Sequence, residues 1–491
     1  AAMLAQFLGH CGITCHVHIP HRIDEGYGPS VAAVDDLKGR GAQVLVTLDC
    51  GAMAHDVLAH ATASGLDVLV IDHHQMGETL PDALAVVNPN RLDDTSGLGH
   101  LCAGGLTFML IAATARALEE AGFWAETGRE RPDVRRWLDL VALATVCDVV
   151  PLKGLNRAYV NGGLKVLAAR ARPGLAALAD AARLNGRADT HALGFVLGPR
   201  LNAAGRIHHA REAFALLTAQ DTATAQALAA KLDRLNRERQ EIEARQVEEA
   251  MAMAERQREA AAMRAPLVVA AEDWHPGVVG LIAARLKERF HLPAVALAID
   301  ERTGEAVGSA RSITGVDIGR AVARAVAAGV LARGGGHAMA AGMALPVARI
   351  DDFRAFLAAA TAAELSVLPE APEMPIDGAL LASGATRELV ELLERAGPFG
   401  AGNPQPVFAF PAHRVQWARV VGEHHVSCTL IGSDGGRLKA IAFRALDTDL
   451  GETLLAERDA ALHVAGTLMR DDYNGRNGAQ LRIIDAAVAR R

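Results

Sequence analysis

Three segments of this 491-residue sequence place acids or imidazoles directly after apolar runs. Residues 43–48 (Gln-Val-Leu-Val-Thr-Leu) lead into Asp49-Cys50-Gly51, and residues 66–71 (Leu-Asp-Val-Leu-Val-Ile) into Asp72-His73-His74. A helical stretch at 134–147 delivers Cys147-Asp148-Val149-Val150-Pro151. In an open parallel sheet, functional groups collect beyond the carboxyl ends of the strands, so Asp49 and the Asp72 cluster are expected to share one crevice. Carboxylate oxygens mixed with imidazole nitrogens suit Mn²⁺, or Mg²⁺ with more bound water, better than a thiolate site does. Two such ions sharing a carboxylate activate water and steady both oxygens of an in-line phosphoryl displacement. The plainer alternative makes Asp49 and Asp72 turn or cap residues. That suffices for one aspartate; Asp-His-His after an apolar strand, one β-α unit beyond Asp49, is better explained by metal.

A second group suits an anion. Arg200, Asn202 and Arg206 lie on a glycine-punctuated segment read as a loop, where two guanidinium forks and an amide can grip phosphates. A turn shaped by Pro199 and Gly205, with solvated arginines, is equally open from the residues alone. Gly334-Gly335-Gly336-His337 lets backbone N–H groups approach an anion closely, with an imidazole beside them. Most glycine runs are only flexible turns. Ser309 and Arg311 offer a clamp for a neighbouring phosphate, and His275 is assigned to the same cleft. Trp274 divides evenly between core residue and stacking platform.

The elements that must position these groups follow from pattern. Strand, helix (near 53–64) and strand in the first segment predict a parallel, doubly wound sheet, followed by a helix at 103–121. Residues 210–263 are nearly all helix formers, with a charged stretch from Arg234 to Glu249; they read as a solvated connecting helix. A second α/β segment opens at Leu267-Val268-Val269-Ala270. Beyond a proline-bearing linker (Pro369, Pro372, Pro375), alternation at 413–421, 426–431, 437–443, 462–468 and 480–484 predicts a small OB-like barrel. Its turn signals are Asp434-Gly435-Gly436 and Asn474-Gly475. Its basic residues are Arg414, Arg419, Lys439, Arg444, Arg470, Arg476 and Arg482, with Trp417 and Tyr473 as candidate stacking partners for a single strand; for any one of them, ordinary solvated surface is the commoner role. The expected division is 1–209, a connecting helix 210–263, 264–366, a linker and short helix 367–397, and a barrel 398–491.

Composition bounds the class. Hydrophobic residues make up 51% and charged residues 22%, as in ordinary globular chains. No uncharged apolar run is long enough to span a bilayer. The first residues lack a basic leader and cleavage pattern and read as the middle of an amphipathic helix. Six scattered cysteines argue for a reducing compartment, hence the cytoplasm, and against a disulfide framework. The Cys11–His21 stretch fits no closed zinc pattern and reads as a helix end followed by a strand. Net charge is −7, but nucleic-acid binding depends on local patches, and acidic metal ligands lower the total.

Taken in order, these segments resemble the DHH phosphoesterases, and among them most closely the RecJ-type exonucleases. Residues 70–74 look like the signature that names the superfamily, residues 48–51 like its second motif, and residues 144–152 like its fourth. Residues 19–28 are similar to the stretch that RecJ-type proteins carry between the first two motifs. Residues 198–206, 274–280, 308–312, 334–342, 398–400, 403–404 and 480–482 continue the series, so the resemblance covers essentially the whole chain.

The resemblance implies a DHH domain, a connecting helix, a DHHA1 domain and an OB-like barrel. It implies a two-ion Mn²⁺ or Mg²⁺ site with Asp49 as bridging carboxylate and His73 and Asp148 as further ligands. Asp72 would orient a ligand and His74 contact phosphate. The substrate-binding set would be Arg200, Asn202, Arg206, His275, Ser309, Arg311, Gly335, Gly336 and His337, facing the metals across an interdomain groove too narrow for a duplex. The implied activity is hydrolysis of single-stranded DNA, 5′ to 3′, to 5′-mononucleotides, in repair and recombination. The chain would act as a monomer, with a helicase or a single-strand-binding protein as candidate partners. The family's first motif, an aspartate-rich loop, has no counterpart here, since residue 1 falls in the helix that normally follows. The expectation is therefore an incomplete metal shell and weak activity. Alternatives are a DHH phosphoesterase for short oligonucleotides, cyclic dinucleotides or pyrophosphate, and a non-catalytic nucleic-acid-binding scaffold.

Overall fold

The computed structural model describes residues 1–22, 24–184, 188–260, 263–369, 373–456, 460–471 and 478–489. The chain forms two compact units: Ala1–Cys147 with Gly162–Pro372, and Asp148–Asn161 with Glu373–Arg491.

The first unit opens with a three-stranded parallel sheet of β1 (Val44–Leu48), β2 (Asp67–Ile71) and β3 (Ala85–Val87), in that spatial order. Its register aligns Leu48 with Ile71 and Ile71 with Val87, so all three strands end level. Leu45, Val68, Val70 and Val86 bury against Leu58 and Ala61 of the helix His55–Ala63 and Val34 of the helix Val31–Gly39. The parallel sheet matches the expectation; β3 is an addition, since three residues are too few to show a period. The strand expected after Cys11 does not form: the helix Ala2–His10 ends there and residues 13–21 join no ladder.

Two further expectations need correction. Residues 198–206 are not a loop but part of the helix Gly198–Ile207, with Pro199 in its first turn, where a missing N–H costs nothing. A π-helical turn, Ala192–Leu197, leads into it. The connecting segment is two helices, Arg211–Thr218 and Thr222–Ala260; Asp221 caps the second by accepting from Thr224 N at 2.8 Å. Nor is the charged stretch simply solvated. Asn236, Arg239, Glu243 and Gln246 are buried, and Arg239 is paired with Glu243 one turn on and bonded to Asn236. Burial of those charges is tolerable because each has a partner.

The second sheet of this unit runs β4 (Leu267–Ala271), β5 (Ala294–Asp300), β6 (Glu305–Arg311), β8 (Ala340–Pro346) and β7 (Arg333–His337) in space. β4 and β5 are parallel and the other pairs antiparallel. The glycine run is thus not a turn but β7, an exposed edge strand.

The second unit holds β9 (Gly378–Ala379), β10 (Phe408–Val421), β11 (His425–Ile431), β12 (Arg437–Ala442), β13 (Ala461–Asp471) and β14 (Gly478–Val488). Pairing runs β10-β11-β12-β14-β13 and returns to β10, closing a five-stranded barrel. Phe410, Val426, Cys428, Leu430, Leu438, Leu462, Val464 and Leu481 fill it. The helix Asp449–Ala456 lies in sequence between β12 and β13, as an OB fold requires. Tyr473, Arg476 and the Asn474-Gly475 turn lie outside the described residues. Residues 148–161 join this unit through Leu152 N, which donates to Ala401 O at 2.7 Å, and Arg157, whose guanidinium donates to Gly397 O. Among the described residues, no helix is long and apolar enough to cross a membrane.

Candidate metal centre and anion site

Each parallel strand of the first sheet exits into a polar residue: β1 into Asp49, β2 into Asp72 and β3 into Asn88. The ladder continues one residue past the strands, with Asp49 N donating to Ile71 O at 2.9 Å and Asp72 N to Val87 O at 3.1 Å. Asp49 has φ 64°, a left-handed conformation that non-glycine residues adopt rarely and that clusters at functional sites. Gly51, at φ 106°, completes the turn; a Cβ there would lie 2.5 Å from Thr47 Oγ1.

The turn brings Asp49 Oδ1 to 3.2 Å from His73 Nε2. Asp49, His73 and His74 each offer a ligand atom, and those atoms lie within 4.8 Å of one another. Asp72 is buried and serves a different role. Its Oδ1 accepts from His73 N (2.8 Å), His74 N (3.3 Å) and His74 Nδ1 (2.7 Å), and its Oδ2 accepts from Ala52 N at 3.0 Å. Burial alone would raise its pKa; the bonds from the His74 ring, Ala52 and His73 outweigh that and bring it down to about 2. A carboxylate can only accept, so His74 donates through Nδ1–H, and in the neutral ring the lone pair is then on Nε2. The same surroundings work against the neighbouring thiol: burial, then Asp72 and Asp49, push Cys50 up to about 11.

The His74 ring stacks on His337 of β7, with centroids 6.1 Å apart and planes 15° apart. That contact joins the metal-type residues of the first sheet to the glycine strand of the second. Along β7, a Cβ at Gly336 would lie 2.3 Å from Ala340 O, whereas Gly335 has nothing within 4 Å. Asp148 is the first residue of the second unit.

A second group of residues in the first unit gathers arginines. Burial first, then Arg22, Arg239 and Arg311, lower the Arg206 pKa to about 10, with Tyr27 acting oppositely. Arg311 is lowered too, by burial and then by Arg22, again against Tyr27. Arg22 lies 4.8 Å over the Tyr27 ring. Among the described residues, Arg22, Arg206 and Arg311 have no carboxylate partner, so like charges gather without compensation. Arg206 Nη1 donates to Gly277 O at 3.2 Å, and Arg311 Nη1 to Ser309 Oγ at 2.7 Å. Two glycines make room: a Cβ on Gly277 would overlap Arg206 O at 2.0 Å, and one on Gly280 would crowd Arg311 Nη2 at 3.1 Å.

Other expected contacts are placed differently. Arg200 is committed to Asp233 (2.9 Å) and Val196 O (2.8 Å), tying its helix to the long one. Asn202 is exposed. His275 is half-buried and accepts from Gly277 N through Nδ1 at 3.0 Å; burial, opposed by Glu238, lowers its pKa. Trp274 is a core residue, donating to Glu249 at 2.8 Å. Arg22, Tyr27, Asn88 and Asn90 were not foreseen. Asn88 carried the same signal as Asp49, a polar residue closing an apolar run. Arg22 and Tyr27 lie within the motif-like stretch 19–28.

On the barrel, register pairs Arg419 with Ser427, Ile441 and Arg482 across β10, β11, β12 and β14, and Trp417 with Thr429, Lys439 and Gln480. These residues point away from the core positions Val426, Cys428 and Leu438, so Arg419, Lys439, Arg482 and Trp417 share one outward face. Arg419 lies 5.6 Å over Trp417, and Arg482 5.6 Å over Phe443. Two of the basic residues are already paired, Arg470 with Glu394 and Lys439 with the buried Asp471 at 2.9 Å.

Residues 1–145 match the model of the DHH family, N-terminal domain; residues 264–363 match the DHHA1 domain and residues 376–485 the RecJ OB domain. The single-stranded-DNA-specific exonuclease RecJ of Salmonella typhimurium is 37% identical over 473 residues, 95% of this chain and 81% of that protein. The Escherichia coli exonuclease of the same name is 38% identical over 439 residues, 88% and 75% of the two chains. Among solved structures, RecJ from Thermus thermophilus in complex with Mn²⁺ superposes with a TM-score of 0.78 at 28% identity, over all of this chain and 67% of that one. An exonuclease RecJ bound to manganese gives 0.60 at 32% identity, over 75% of this chain and 89% of that one.

Proposed function

The chain belongs to the RecJ family of exonucleases, and on that premise we propose that it hydrolyses single-stranded DNA from the 5′ end with a divalent metal, releasing 5′-mononucleotides. The observation that carries this reading is the convergence of Asp49, His73 and His74 to within 4.8 Å, with His337 stacked on His74.

The donor set fits Mn²⁺ or Mg²⁺. One carboxylate and two imidazoles offer hard and borderline ligands, and Asp72 holds His74 in the tautomer whose Nε2 can ligate. Bound there by Asp49, His73 and His74, such an ion supplies Lewis-acid activation of water and charge stabilisation for in-line displacement at phosphorus. Everything else falls to the chain. Arg22, Arg206 and Arg311, uncompensated, favour a phosphate among them. The open face of β7 at Gly335 leaves room for a backbone phosphate beside His337. Arg419, Arg482 and Trp417 offer the barrel's own charge and stacking surface for a single strand. The reading carries with it a cytoplasmic setting and a supplier of single strands, a helicase or a single-strand-binding protein.

The test uses 5′-labelled and 3′-labelled single strands and duplexes with Mn²⁺. Mononucleotide release from single strands, starting at the 5′ end and abolished by His73→Ala, is expected. Cleavage that survives His73→Ala, or that needs no metal, would refute the assignment.

A further inference from the structure

We infer that Asn88 and Asn90 are positioning residues for the metal centre, holding the His73-His74 peptide from the exit of the third strand. The inference rests on the metal reading above. All four backbone polar groups of His73 and His74 are engaged. Both N–H groups donate to Asp72 Oδ1. The His74 carbonyl accepts from Asn88 Nδ2 at 2.9 Å and the His73 carbonyl from Asn90 Nδ2 at 2.5 Å.

The amides are oriented by their own bonds. Asn88 Oδ1 accepts from Asn90 N at 2.8 Å, which leaves Nδ2 to donate. Asn90 Nδ2 also reaches Gly99 O at 3.2 Å, pinning the loop that follows. Aspartate at either position would lose the donor and set a carboxylate against a carbonyl oxygen. Gly99 belongs to the device: a Cβ there would lie 2.5 Å from Asn90 Oδ1, with no positive φ to complicate the change. Asn88 is buried and Asn90 half-buried, so the two differ in how much of the fold they touch.

The device makes Gly99, which has no metal-ligating side chain, a handle on metal affinity. Calorimetric titration of Mn²⁺ into the parent, Asn90→Ala, Gly99→Ala and the double variant is the test. Each single change should weaken Mn²⁺ binding about tenfold or more, the usual scale for groups that orient ligands. The double variant should be no weaker than Asn90→Ala alone, because both act on one side chain. At saturating Mn²⁺, kcat should recover while the apparent KM for Mn²⁺ stays raised, and the thermal midpoint without metal should hold. Should Asn88→Ala fail to fold, the half-buried Asn90 carries the test alone. Mn²⁺ affinities within about twofold of the parent, or losses that multiply in the double variant, would overturn the inference. A parent that binds no Mn²⁺ at all would overturn the metal reading and this inference with it.

Discussion

His209 packs its ring 5.6 Å from that of His21, on the segment that carries Arg22 and Tyr27. Burial, Arg211, His21 and His208 hold its pKa below the ordinary value, with Glu25 acting oppositely. The fold therefore favours the neutral ring, and as pH falls the unfolded chain takes up the proton first. This contribution to stability is complete above pH about 6.5 and is lost as pH drops from there towards the lower folded pKa. His209→Gln should flatten the fall in unfolding free energy between pH about 7.5 and about 5.5, read by denaturant titration. At this scale, legibility tracked sequence distance. Asp49, Asp72, His73 and His74 announced themselves by following apolar runs. The engagement of Arg200 by Asp233, and the gathering of Arg22, Arg206 and Arg311, depend on partners far along the chain.

Among the elements, β7 separates fold from function within three glycines. Gly336→Ala drives a methyl into Ala340 O and Ala341 and should cost about 1–3 kcal/mol of stability. Gly335→Ala meets nothing, so its thermal midpoint should match the parent while binding of single strands weakens. Loss of binding only in proteins that have also lost stability would argue against a ligand on that edge. The barrel's outward face makes a second element-scale prediction. For single strands, log affinity falls with log salt by about 0.7 per phosphate neutralised, so replacing Arg419 and Arg482 by alanine should lower the slope by about 1.4. Fluorescence anisotropy across a salt series checks it. The barrel strands were legible because alternation has period two; which basic residues share a face was not, because that needs register. The helix Gly198–Ile207 was misread because its glycines and proline signal a turn unless packing overrules them.

At the scale of the whole molecule, the order of domains was legible from composition and motifs, but the chain's path between the units was not. The barrel unit includes residues 148–161, supplied from the middle of the sequence. Residues 373–491 expressed alone should therefore melt below the barrel transition of the full chain, having lost the bond from Leu152 to Ala401 and those from Arg157 to Ala396 and Gly397. Differential scanning calorimetry decides this, and equal transitions would show that 148–161 contributes nothing.

That borrowed segment also sets a timetable at the ribosome. Residues 148–161 emerge about 210 residues before Glu373, an interval of roughly 10–40 s at ordinary elongation rates. Until then Leu152 and Arg157 have no barrel to join, and translation must reach the last barrel strand, Gly478–Val488, before the second unit can close.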